Sequence, residues 1–262
     1  MKTSLLISTY NWTEALELVL KSVQVQTKKP DELILADDGS TKETRELINK
    51  FRRNTNIEVI HVWHEDDGFN KSAILNKAIS KSKGDYIIQT DGDCILHSDF
   101  VKDHLFLARN KTYLYGSRVS IKKNYLKQLF KTKNIKFNFF SKSIKKRTRT
   151  LRIPLFSLFY RSKNKFSKKM RGCNISYWKK DFIMVNGYNE DIKGWGREDS
   201  ELIIRMMNNG CHGKRIRYSG IVYHIWHKTN SKNNFKKNDK IQQLAIQQKT
   251  KFCKNGIDKY LG

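Results

Sequence analysis

Proline is almost missing from this chain: Pro30 and Pro154 are the only two in 262 residues, which excludes proline-rich linkers and collagen-like repeats. Cysteine is scarce too. Cys94, Cys173, Cys211 and Cys253 lie far apart with no C-x-x-C spacing, which argues against a zinc ribbon or a disulfide framework and fits reduced thiols in a cytosol. No apolar run approaches the length needed to span a bilayer, and Met1–Ser8 reads at once as a strand, too short for a signal peptide. The first strand–helix turn lacks G-x-G-x-x-G, and G-x-x-x-x-G-K-[ST] occurs nowhere, so dinucleotide and P-loop readings lose weight. Acidic residues vanish entirely between Asp103 and Asp181. The formal net charge of +27 favours polyanions: nucleic acid, anionic lipid, or phosphorylated sugars and lipids. Lysine and asparagine are abundant throughout, a compositional habit that accounts for part of that excess.

What is present suits one large α/β domain. Hydrophobic residues make up 38% of the chain, enough for a sizeable core. Short β-branched strands are expected at Ser4–Ser8, Asp31–Ala36, Ile57–Val62 and Gly84–Thr90, alternating with helices over Thr13–Gln26, after Thr41, and over Asn70–Lys81. Such alternation predicts a mostly parallel, doubly wound central sheet with helices on both faces. Ligands of such sheets sit outside the carboxyl ends of the strands. Ser8–Asn11, Asp37–Ser40, Glu65–Phe69 and Asp91–Asp93 should therefore converge on one crevice.

The fourth strand carries the strongest chemical signal. Gly84-Asp85-Tyr86-Ile87-Ile88-Gln89-Thr90 is apolar and β-branched, then stops at Asp91-Gly92-Asp93. Two carboxylates at a strand end are hard oxygen ligands suited to Mg²⁺ or Mn²⁺ holding a diphosphate, and Gly92 lets a ligand approach the backbone. Asp-Gly is also an ordinary turn signal, so the motif alone decides little.

Several motifs in register do more. Ser8-Thr9-Tyr10-Asn11, Ala36-Asp37-Asp38-Gly39-Ser40 and Asp91-Gly92-Asp93 resemble the nucleotide-sugar half of GT-A glycosyltransferases, in particular family 2. Phe69-Asn70-Lys71-Ser72-Ala73, Gly187-Tyr188-Asn189-Glu190 and Gly194-Trp195-Gly196-Arg197-Glu198-Asp199 are similar to the galactosyltransferase and chondroitin-polymerase-like branch. The resemblance covers residues 1 to about 118 and 171 to about 230. It implies a Rossmann-like GT-A catalytic domain over 1–230, made of a nucleotide-sugar half (1–118), a basic insertion (119–170) and an acceptor half (171–230). A polar helical tail of no evident chemistry (231–262, the helix at about Asn238–Lys254) follows.

The resemblance also implies roles. Asp93 is the metal ligand, for Mn²⁺ or Mg²⁺, while Asp91 touches ribose or reaches the metal through water. His227 matches the family's metal-binding histidine, with His224 three residues earlier. Residues three apart on a strand face opposite ways, so both ligate only if the segment is irregular. Asp199 takes the place of the base that accepts the acceptor hydroxyl proton in an inverting transfer, kept ionised by the helix N-terminus, and Glu198 binds acceptor hydroxyls. Ser8, Tyr10, Asp38, Phe69, Lys71, Gly92 and Trp195 line the donor pocket: Asp38 accepts from the base ring, Lys71 pairs with the diphosphate, and Trp195 is a platform for a sugar face. The donor is a nucleotide-sugar, UDP-linked by resemblance. The acceptor is a saccharide or lipid-linked saccharide of a surface polysaccharide or lipopolysaccharide.

From Arg118 to Lys169 basic residues interleave with Phe and Leu, a composition suited to an interfacial helix on anionic lipid at the cytoplasmic membrane face, or to a solvated insertion covering the acceptor side. Two rivals remain at this level. One is a polyanion- or nucleic-acid-binding protein with structural acids; no RNP, KH or zinc-finger pattern supports it, and no nucleic acid is expected. The other is a membrane-associated GT-A scaffold without turnover.

Overall fold

The structure, a computed structural model, describes residues 1–228 and 233–262. Its first half is built as strand–helix repeats: β1 (Thr3–Thr9), α1 (Thr13–Gln24), β2 (Glu32–Asp37), α2 (Lys42–Arg53), β3 (Glu58–Trp63), α3 (Lys71–Ser80) and β4 (Tyr86–Asp91). Then come β5 (Cys94–Leu96), α4 (Phe100–Leu107), β6 (Thr112–Tyr115), β7 (Arg118–Ile121), α5 (Leu126–Thr132) and β8 (Ile144–Lys145). The last part holds β9 (Asn174–Trp178), α6 (Lys179–Met184), α7 (Glu198–Asn208), β10 (His212–Arg215), β11 (Val222–His224) and α8 (Phe235–Gln247).

Seven strands form the central sheet in the order β10-β6-β9-β4-β1-β2-β3. Pairing is parallel except at β9, which runs antiparallel to both β4 and β6. Side chains alternate across the sheet as the strand period demands. Leu5, Ile7, Leu33, Leu35, Tyr86 and Ile88 meet α1, α2 and α4 on one face. Leu6, Ile34, Ala36, Ile87, Ile175 and Tyr177 meet α3, α6 and α7 on the other. The stripe Leu16, Val19, Leu20 and Val23 of α1 is fully or almost fully buried, and each such side chain contributes roughly 1.5–3 kcal/mol. All four cysteines are buried and unpaired.

Three features depart from the sequence expectation. A second sheet, β5-β11-β7-β8, which the strand–helix alternation of the first half does not predict, grows beside the carboxyl ends of the first. The insertion holds no long interfacial helix. α5 has seven residues and Pro154–Phe159 forms a short 3₁₀ turn, while Leu129, Phe137 and Ile144 are buried in a small core with Tyr223 and Ile225. The tail is not an appendage either. Its helix ends at Gln247, after which the chain returns to bury Ile257 against Ile74, Phe182 and Tyr188. Among the described residues, no helix is long and apolar enough to cross a membrane.

Candidate active site

Parallel register puts the functional strand ends side by side. Ser8 of β1 lies opposite Asp91 of β4, and Thr9 lies opposite Asp37 of β2. Beyond these ends opens a cleft of about 1170 Å³, lined among others by Ser8, Tyr10, Asp38, Phe69, Lys71, Asp91, Gly92, Asp93, Trp195, Glu198, Asp199, His224 and His227. Every site residue anticipated from the sequence therefore reaches one cavity.

Within it the acids divide into two groups. In the first, Asp93 leaves β4 and enters β5, which pairs antiparallel with β11 so that Cys94 faces His224. The Ile225 amide donates to the Asp93 carbonyl at 2.8 Å. β11 ends at His224, and the irregular turn after it swings His227 back to the same carboxylate. His224 Nε2 and His227 Nε2 stand 3.3 and 3.2 Å from Asp93 Oδ2. The strand objection to a His-x-x-His pair is thus removed by the strand's own end. Burial opposes the Asp93 charge, yet hydrogen bonds from both histidines hold its carboxyl well below the usual carboxylate range. His227 is raised, first by its hydrogen bond to Asp93.

These three side chains fit a divalent cation. One ligand atom from each lies within 4.8 Å of the others. The Nδ1 of His227 is 2.7 Å from the Lys228 carbonyl. Donating there holds one proton on Nδ1, so that Nε2, which donates to Asp93 here, is the nitrogen that would lose its proton to ligate a cation, the usual way a ligating histidine is oriented. Two imidazoles and one carboxylate suit Mn²⁺ better than Mg²⁺, which takes mostly oxygen ligands. Asp91 stands outside this set. It accepts from Ser8 Oγ at 2.9 Å and from Lys71 Nζ at 2.8 Å.

The second group gathers Asp91, Glu198 and Asp199 around Lys71. Burial works against the ammonium, but Asp91, Asp199 and Glu198 together raise Lys71 well above its ordinary value. Glu198 is pushed up to about 7, by burial and then by the neighbouring Asp199. Asp199 is also raised, by burial first, with Lys71 opposing. Burial thus works against the ionised form that the helix N-terminus favours. A raised carboxylate is the stronger base.

Behind Asp199 sits a buried polar network. The Tyr177 hydroxyl donates to Gln89 Oε1 at 2.9 Å, and the Tyr188 hydroxyl lies 2.9 Å from the same oxygen and 3.2 Å from Asp199 Oδ1. Gly172 packs so closely that a Cβ there would stand 1.9 Å from Asp199 Oδ2. Sequence reasoning gave Gln89, Gly172 and Tyr188 no role. A buried amide inside the run Ile87-Ile88-Gln89-Thr90 was the available signal, because buried polar groups need partners.

The loop before α7 is held in left-handed backbone at Gly194, Gly196 and Arg197. α8 braces it: Arg197 pairs with Asp239 at 2.7 Å, Asn238 donates to the Lys193 and Gly196 carbonyls, and Phe235 stacks on Trp195 at 6.2 Å. Gln242 bonds Ser200 and also lines the cleft. The tail thus completes the site, contrary to expectation. Asp38 and Tyr10 are already engaged. Asp38 accepts from the Asn70 amide at 3.0 Å and meets His64 at 2.8 Å, while Tyr10 donates to Asp66 at 2.8 Å.

With the fold and these acids in place, comparison with known proteins is decisive. Residues 4–166, more than half of the chain, match the family model "Glycosyl transferase family 2". The chain belongs to glycosyl transferase family 2. Residues 156–228 match a second model, "N-terminal domain of galactosyltransferase". This glycosyltransferase is 26% identical over 237 residues to a chondroitin synthase of Escherichia coli, covering 84% of this chain and 34% of that one. It therefore spans about a third of that relative's length. Residues 1–349 of TarS from Staphylococcus aureus superpose with a TM-score of 0.63 at 16% identity, covering 95% of this chain and 68% of that one. The mannosyltransferase PcManGT from Pyrobaculum calidifontis, solved in complex with GDP-Man and Mn²⁺, gives 0.58 at 17%, covering 85% and 56%. Both likenesses bear on the fold alone. They agree with the GT-A architecture anticipated from the sequence.

Proposed function

We propose that this glycosyltransferase is an inverting enzyme that moves a sugar from a nucleotide-sugar, UDP-linked, to a hydroxyl of a saccharide or lipid-linked saccharide in surface-glycan synthesis. One observation carries the reading: Asp93 with two histidines and Asp199 with Glu198 and Lys71, from distant segments, open into one cleft. Asp93, His224 and His227 would hold the metal, which supplies charge neutralisation for the departing diphosphate. Lys71 adds a fixed positive charge on the same side. Asp199, backed by Tyr188 and shaped by Gly172, takes the proton from the acceptor hydroxyl as its oxygen attacks the anomeric carbon. Glu198, beside it, holds acceptor hydroxyls. Ser8 orients Asp91 toward the ribose side, and Trp195 offers a sugar platform anchored by Phe235. A bound UDP in one TarS structure and GDP-Man in PcManGT support a nucleotide-sugar donor.

The test is transfer and hydrolysis of UDP-sugars with Mn²⁺. Asp93→Ala and Asp199→Asn each lose at least about a hundredfold in rate, the scale of a lost base or charge stabiliser. Full activity surviving both changes overturns these roles.

Peripheral membrane contact is part of the same reading. Leu155, Phe156 and Phe159 are exposed, Phe159 by 80%, beside Arg161, an apolar edge flanked by cations that suits an anionic bilayer. Sedimentation with phosphatidylglycerol vesicles checks it. Equal recovery of wild type and Phe159→Asp in the pellet counts against it.

A further inference from the structure

Beyond the donor site, a second set of charges gathers. Arg118 begins β7, Lys146 and Arg149 belong to the turn after β8, Arg171 leads into β9, and Arg215 ends β10 with Arg217 two residues beyond it. Four separate segments thus deliver six cations to one region. The contacts are direct: Arg149 Nη1 donates to the Arg118 carbonyl at 2.9 Å, and Arg217 Nη2 donates to the Thr148 carbonyl at 3.2 Å. Among the described residues none of the six is in an ion pair, although other cations of the chain find carboxylates. Burial, then the charges of Arg215, Arg217, Arg118 and Arg171, lowers Arg149. Burial, then Arg149, Arg118 and Arg171, lowers Lys146. The groups therefore sense one another, and gathering like charges costs stability unless an anion offsets it.

The cluster is also placed where an acceptor must pass. Arg118 and Arg171 line the cleft, and Arg171 precedes Gly172, the residue lying against Asp199. Arg149, which senses Arg118 and Arg171 as well as Arg215 and Arg217, links the two cleft cations to the rest of this cationic track. We propose that the acceptor is an anionic saccharide, bearing phosphate or carboxylate groups that this track binds while a nearby hydroxyl meets Asp199. This deepens, and rests on, the transferase reading. Guanidinium forks suit such groups because they match both oxygens of a phosphate or carboxylate.

The test measures binding of a phosphorylated dextran oligosaccharide against neutral dextran of equal length, at low and moderate salt. Wild type binds the phosphorylated chain, more weakly as salt rises, and ignores the neutral one. Arg149→Gln with Arg217→Gln weakens that binding at least about tenfold, as expected for lost charge-assisted contacts. Lys50→Gln with Arg53→Gln, removing two charges on the remote α2, changes it less than about twofold. Exposed Lys146→Gln gives an intermediate loss and serves if the double variant does not fold. Equal losses in both double variants, or equal binding of neutral dextran, overturn the proposal. So does a loss seen only with phosphatidylglycerol vesicles. The thermal shift with UDP and Mn²⁺ is unchanged in every variant. Its absence in wild type would count against the transferase reading instead.

Discussion

Glu198 links the chemistry to stability in a way that can be measured. Its carboxyl is buried at the start of α7, with Asp199 and Asp91 nearby, and titrates at about 7 against an ordinary 4.5. The folded-state value lies above the unfolded one, so between these limits the native protein holds a proton that the unfolded chain has released. Stability from this group is therefore complete below about pH 4.5 and falls as pH rises toward 7, staying low above it. The full difference corresponds to about 3 kcal/mol, of which about 2 to 3 kcal/mol falls between pH 5 and pH 8. Glu198→Gln removes the titration. Its side-chain oxygen still accepts the Gly196 amide, which Glu198 accepts at 3.0 Å, and any fixed cost of the amide is the same at both pH values. Urea unfolding at pH 5 and pH 8 is the assay. The wild type loses about 2 to 3 kcal/mol more than the variant across this interval, or about 5–10 °C in melting temperature. If the two proteins change with pH in parallel, Glu198 is ionised like an exposed carboxylate and the account of the cluster fails.

Other expectations follow from the same geometry. Gly172→Ala places a methyl against Asp199 and should lower transfer by at least about tenfold; circular dichroism spectra matching wild type, with normal activity, would contradict it. Arg205 is fully buried, bonded to Glu201 and to the Val185 and Gly187 carbonyls, so Arg205→Ala leaves a buried carboxylate uncompensated. It should cost about 3–5 kcal/mol in denaturant unfolding; a cost under about 1 kcal/mol, the scale of an exposed pair, is the disproof. His227→Ala should weaken the stabilisation by Mn²⁺ in the presence of UDP at least about tenfold in apparent affinity, the scale of a lost ligand contact. Chelation with EDTA should abolish that stabilisation in wild type. A shift of wild-type size in the variant would remove His227 from the ligand set.

Much of this protein was legible before any coordinates. β-Branched runs alternating with amphipathic helices dictated a parallel, doubly wound sheet, because the strand period and the helix period are local properties of the chain. Strand ends rich in Asp, Ser and Gly marked the cleft for the same reason. Which acid does what was decided only by tertiary structure. Asp91 and Asp93 are two residues apart, yet one is held by Ser8 and Lys71 while the other faces His224 and His227, since β5 pairs with a strand more than a hundred residues away. The rise of Asp199 and Glu198 depends on burial by distant segments, and no local pattern encodes desolvation. The tail's part in the site, through Phe235, Asn238 and Gln242, arises in the same way: a polar helix gains its role from what it lies against.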